Sequence, residues 1–284
     1  EGEVAVYKGT DPASATTWAK VGTYYVGQPL GKNCLAKFGG DLLILSKNGL
    51  FPLSKALATA ELTRAQTLSF KIDPTFIQAA RDYGSNLGWD VKVFPSGGFV
   101  LVNVPITTAY SEQYVMSTTT SAWCKFSGWT AYAWIIWQGR LFYAGNNSVN
   151  EAWVGTADFG QPIVARAQQA YSNFGLPGRQ KHFKLIRPIV SAENGAVVNI
   201  SLDIDYQQAD FPSSIIYNPL YAGLWDTATW DVDVWANDTD VRLDWETAAA
   251  YPCFAAGLRL QVASTLTTIS WSVTNFTFIA GGIL

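Results

Sequence analysis

Charge is what this sequence has least of. Only 14% of its 284 residues are Asp, Glu, Lys or Arg, against about 25% in an average soluble domain. The net charge of −3 and the scattering of Lys and Arg argue against binding nucleic acid by phosphate neutralisation. The densest basic run, Arg179, Lys181, Lys184 and Arg187, reads as a solvated strand edge guarded by positive charge. Histidine is reduced to one copy, His182, which any catalytic triad or His-ligated metal site would have to use. No Gly-x-Ser-x-Gly elbow accompanies it. Its place in Lys181-His182-Phe183-Lys184 suggests a solvent-facing strand residue.

Cysteine is sparse too. Cys34, Cys124 and Cys253 are far apart and odd in number, with no Cys-x-x-Cys spacing for zinc or redox work. They read as reduced, mostly buried small hydrophobes of a protein made in a cytoplasm. No apolar run reaches the ~18 residues of a membrane span and no signal peptide is visible, so membrane insertion is not expected. Neither a cofactor nor a metal is expected, and the reading is non-enzymatic.

What is abundant is apolar and aromatic. Hydrophobic residues make up 49% and aromatics 14%, with 12 Trp, enough for a sizeable core without disulfides or metals. So few charges cannot cover the surface of an isolated subunit, and partner subunits are expected to cover part of it.

The pattern is all-β. Leu35–Phe38, Gly39-Gly40 and Asp41–Ser46 form a predicted hairpin, and Asn48-Gly49 offers the positive φ angles of a type I′ turn into Leu50–Leu53. Pro52 restricts that last strand to an edge. The strand, Gly-turn, strand unit recurs at Val91–Val104, continuing through Gln113–Met116 and Ala122–Phe126. It recurs again at Ala133–Gly145, with a strand near Asn150–Val154. Repeated meanders of this kind build β-propellers. Between the first two, a helical insertion is predicted near 55–84, with Asp73 as N-cap, Pro74 after it, and Gly84 as C-cap. Three meanders do not close a propeller. The chain also opens at Glu1-Gly2-Glu3, without Met and directly into a strand, so a fragment of a longer protein is expected. The texture changes near residue 165. Residues 1–165 are assigned to incomplete propeller-like blades. Residues 166–284 are assigned to a β-sandwich-like domain of longer strands, with a Trp- and Asp-rich excursion at 224–246.

Carboxylates are the remaining enzymatic option. Asp203 and Asp205 fall on one face of a predicted strand, as do Asp231 and Asp233 if extended. Trp225, Trp230, Trp235 and Trp245 stand among such acids, so a glycan or partner contact is assigned to these four rings. No glycosidase spacing is met. The run Asp231–Asp240 has oxygen ligands of the kind Ca²⁺ takes but lacks the Gly and Glu of an EF-hand loop. Turn-capping Asp and sheet-packing Trp account for it more simply.

Specific stretches carry a resemblance: Tyr7-Lys8-Gly9-Thr10-Asp11-Pro12 with Trp18 and Gly22, Gly27–Gly31, Gly39–Leu45, Gly49–Ser54, Ala122–Trp129 and Gly139–Gly145. Trp225-Asp226, Trp230-Asp231, Trp235 and Gly281–Leu284 continue it. Together these resemble structural proteins of tailed phages and prophages, in particular the tail nozzle, hub or stabilisation proteins of short-tailed phages (tail tubular protein B-like). The resemblance implies a virion tail subunit made in the bacterial cytoplasm. It implies homo-oligomerisation into a ring beside other tail or adaptor proteins, with DNA only as passing cargo. The alternative is a carbohydrate-binding or carbohydrate-cleaving tail component that uses the Trp- and Asp-rich segment.

Overall fold

A computed structural model describes residues 2–58, 64–192, 196–211, 213–217, 240–242, 245–248, 252–265 and 268–283. The protein is all-β, and it divides into two compact units, Glu1–Val154 and Gly155–Leu284. The division falls ahead of the expected change at 165, because the strand at Gln161–Gln168 hydrogen-bonds into the second unit.

The first unit opens with a hairpin of β1 (Glu3–Gly9) and β2 (Trp18–Tyr25). Three antiparallel meanders follow. The first contains β3 (Leu35–Phe38), β4 (Asp41–Ser46) and β5 (Gly49–Pro52), with α1 (Leu53–Ala58) directly after it. Pro52 is indeed on an edge, since β5 pairs only with β4. After short 3₁₀ turns comes α2 (Asp73–Tyr83). The second meander has four strands, β6 (Asp90–Phe94), β7 (Phe99–Pro105), β8 (Ser111–Ser117) and β9 (Trp123–Ser127). The third has β10 (Ala133–Trp137), β11 (Arg140–Gly145) and β12 (Ser148–Ala152).

Strand alternation stacks these meanders. On β7, Val100, Val102 and Val104 face a core shared with Leu43, Leu45 and Leu50 of the first meander and Phe76, Ala79 and Ala80 of α2. Phe99 and Leu101 face the other way, into a core with Trp134, Leu141 and Tyr143 of the third meander. Every residue of β7 is buried. On the far side of the first meander, Ile44 and Phe51 pack with Val26 and Ala56. Each such large side chain contributes about 1.5–3 kcal/mol by leaving water.

Two local expectations change, and one holds in an altered form. Asn48-Gly49 is not a type I′ turn: Ser46 pairs with Gly49, and only Gly49 has positive φ (132°). Ser46 Oγ accepts the Asn48 N–H instead, and a Cβ on residue 49 would meet Ser69 Oγ at 2.7 Å, so close packing explains the glycine. Hairpin turns with two positive φ angles, as type I′ requires, occur instead at Gln138-Gly139, Asn146-Asn147 and Phe159-Gly160. Asp73 is not an N-cap, because the preceding 3₁₀ turn runs into the helix and Asp73 is already helical (φ −50°, ψ −46°). Gly84 takes the C-cap place in a right-handed conformation (φ −62°).

The second unit is a sandwich of two sheets. One is ordered β13 (Ala157–Asp158), β14 (Gln161–Gln168), β20 (Ala256–Ser264), β16 (Ala196–Ile204), β17 (Ser213–Tyr217). The other centres on β15 (Arg179–Ala192), flanked by β21 (Ile269–Ile283) on one side and by β18 (Asp240–Arg242) and β19 (Glu246–Thr247) on the other. Phe183, Ile186 and Val190 of β15 meet Val198, Ile200, Leu258 and Leu260 of the facing sheet in one core. Pro188 sits where it costs no ladder bond, in the gap between the residues paired to β19 (Leu185, Ile186) and those paired to β18 (Val190–Ala192).

Candidate functional site

The third meander ends the stack, and its outer face has no cover among the described residues. Register places Ile135 beside Phe142 and Glu151, and Ala133 beside Ala144 and Val149. These side chains share the face opposite Trp134, Leu141 and Tyr143. Ile135 is 58% exposed, Trp137 56% and Val149 73%. At the rim, Arg140 forms an ion pair with Glu151 and lies over the Phe142 ring, 5.2 Å from its centroid. The pair raises the Arg140 pKa and lowers that of Glu151, mainly through their mutual hydrogen bond. The sequence Ala133-Trp134-Ile135-Ile136-Trp137 carries apolar residues on both faces, the composition of a strand covered on both sides. That doubled apolar pattern is the sequence signal for a covered face, and by itself it predicts a strand without saying which face stays open.

Behind this face lies a buried polar core. Asn103 donates to the Gly88 and Ala131 carbonyls (2.8 and 3.1 Å) and accepts from Gln113 Nε2 and Trp134 Nε1 (2.9 and 3.0 Å). Gln113 Nε2 also donates to Ser111 Oγ and to the Trp129 carbonyl. Asp90, buried on β6, accepts from Lys92 at 2.5 Å and from the Trp134 N–H at 3.2 Å. Burial pushes its carboxyl above the usual range, although Lys92 and the Trp134 amide oppose the shift. These bonds fix the β10 backbone to the second meander and so set the outer face. They leave no acid or base free on it.

The residues singled out for chemistry are not brought together. His182 is exposed on β15 with Phe183 buried beside it, and its ring lies 3.3 Å from Lys184 Nζ. The basic run is not a guarded edge, because β15 is paired on both sides. Lys181 is fully buried, and its ammonium donates to the Leu176, Arg179 and Phe254 carbonyls at 2.8–2.9 Å. A bulge between Phe183 and Leu185 then exposes Lys184 and Leu185 together, which breaks the simple alternation.

Asp203 and Asp205 do not form a same-face pair. β16 ends at Ile204, and Asp205 turns left-handed (φ 46°) to accept the Phe254 and Ala255 N–H groups at 2.8 and 2.9 Å. Asp203 is buried against Arg259. Trp225, Trp230, Trp235, Asp231 and Asp233 lie outside the described residues. Trp245 is described: it is 41% exposed, and one ring face is taken by the Arg187 guanidinium 4.6 Å from its centroid. Among the described residues no group of three or more His, Cys, Asp or Glu could hold a metal ion, and no helix is long and apolar enough to cross a membrane. The cysteines are free and mostly buried, as expected: Cys34 and Cys253 are covered and Cys124 is exposed.

The fold thus defines an all-β protein of stacked meanders and a two-sheet sandwich, with an open apolar sheet face on its third meander. No protein-family model matches the chain, and no curated protein matches it.

Proposed function

We propose that this protein is a structural component of a bacteriophage tail, of the nozzle or hub kind, whose copies assemble into a ring that conducts DNA at ejection. The observation that carries this reading is the open outer face of β10–β12. A meander stack whose first two sheets send side chains into a core on each face ends in one whose outer face keeps a core composition. Such a face favours a subunit built to be covered by a neighbour. The low charge and net −3 fit a wall past which DNA slides without sticking. The motifs quoted above supply the phage assignment. Trp245, packed under Arg187, lends the glycan reading no support.

The test is the assembly state of the full chain, by light scattering and electron microscopy. Rings of uniform subunit number, lost in Trp137→Asp with the near-UV spectrum of the fold retained, are expected. A strictly monomeric protein at high concentration, or tight DNA binding at physiological salt, overturns the proposal.

A further inference from the structure

The second unit carries a different surface that specifies its own partner. Every residue of β14 is exposed, on both faces of the strand. One edge is fully paired to β20, from Ile163 opposite Ser264 to Gln168 opposite Arg259. A second edge remains, and β13 pairs with β14 only at Gln161 and Pro162. From Ile163 to Gln168, no described strand pairs with this second edge. Unsatisfied N–H and C=O groups in a row are recognised by one kind of chemistry, another extended backbone. The usual guards against such pairing are missing. Pro162 lies before the open stretch, and the stretch holds a single charge, Arg166.

We infer that a second copy of this chain fills the edge, with β14 pairing antiparallel to β14 across a two-fold axis and joining two five-stranded sheets into one. The register follows from geometry. Cross-strand partners share a sheet face, so the axis must pass through a residue position. An axis at Arg166 sets two guanidinium groups opposite each other, which is destabilising. An axis at Val164 brings Pro162, which has no N–H, into the new ladder. An axis at Ala165 keeps the guanidinium groups apart and moves Pro162 out to the end of the ladder, opposite Gln168: Ala165 meets Ala165, Ile163 meets Ala167, and Val164 meets Arg166. On the side where Val262 and Leu260 enter the core, Ile163, Ala165 and Ala167 of both copies then form a continuous apolar strip. This contact is independent of the β10–β12 face and of the tail assignment.

The test uses the full chain with Cys124→Ser, which removes the exposed native thiol. Ala165→Cys in that background puts two thiols on facing residues, whose Cα atoms lie about 4.5–5.5 Å apart in an antiparallel pair, within disulfide reach. Mild oxidation is expected to give a covalent dimer. Phe159→Cys, at the exposed tip of the same hairpin, is expected to stay monomeric because its two copies lie at opposite ends of the ladder. Ala165→Lys is expected to weaken dimerisation at least tenfold in sedimentation, with the near-UV spectrum unchanged. Equal cross-linking at both positions, or none at residue 165, overturns the inference. If Ala165→Lys disturbs the fold, the two cysteine variants decide alone.

Discussion

The guanidinium of Arg259 lies along the carboxylate of Asp203 on the neighbouring strand, Nε to Oδ2 at 2.7 Å and Nη2 to Oδ1 at 3.2 Å. Asp203 is fully buried there, and Ser201 Oγ, Gln168 Nε2 and the Ala209 N–H also donate to it. Arg259 in turn donates to the Ala209 carbonyl and covers the Phe211 ring at 4.3 Å. Removing one partner from such a pair strands the other charge. Asp203→Ala is therefore expected to destabilise the second unit by about 3–5 kcal/mol. Urea unfolding followed by far-ultraviolet circular dichroism checks it. A loss no larger than that of an exposed ion pair would show the network to be dispensable.

Asp90 gives a pH signature. Its folded pKa is raised above the reference value of 3.8 by burial. The folded state therefore holds a proton that the unfolded chain has released, so stability falls as pH rises from 3.8 through the folded pKa and then levels. Asp90→Asn is expected to lose this dependence. Relative to wild type, the variant gains stability as pH rises through that window, read from melting curves at successive pH values. A constant difference between the two proteins would refute the assignment.

Asn103 joins four groups that have no water to turn to. Each stranded buried polar group costs about 1–3 kcal/mol, and Asn103→Leu is expected to cost roughly 3–5 kcal/mol in all. Thermal unfolding measures it. The same variant is expected to loosen β10, seen as faster amide exchange at Trp134 than at Val100.

Thiol reactivity separates the cysteines. Burial pushes the Cys253 thiol up to about 11 and raises Cys34 as well, and both side chains are covered. Burial raises Cys124 too, yet it is reachable. An aromatic disulfide reagent at pH 8 is expected to label Cys124 first, and the other two only after denaturant is added. Mass spectrometry of the labelled peptides reads the order.

The hairpins were legible because their turns are written in short-range chemistry. Gly39, Gln138-Gly139 and Asn146-Asn147 carry the positive φ angles that a tight turn needs. The α2 face was legible from the spacing of Phe76, Ala80 and Tyr83. What failed depended on distant partners. Lys181 looks like a surface charge until Leu176 and Phe254 supply carbonyls around it. Asp205 looks like the mate of Asp203 until the backbone reverses at residue 205 to reach the Phe254 amide. The open face at Ile135 and Trp137 was in the sequence as a strand apolar on both sides, but which side stays uncovered is decided by the stacking of whole sheets.

The two units also differ in when they can form. In the meanders each strand pairs with the next one made, so β3 through β12 can close as they leave the ribosome. The sandwich closes later: beyond the β13–β14 and β16–β17 pairs, Arg166 on β14 waits for Gln261, 95 residues later, and β15 waits for β21. At about 5–20 residues per second that wait lasts roughly 5–20 s. Until then β14 lacks β20, β15 lacks β21, and β16 has only β17 beside it. The birth of the second unit, rather than its finished stability, is the interval in which this protein most needs a chaperone.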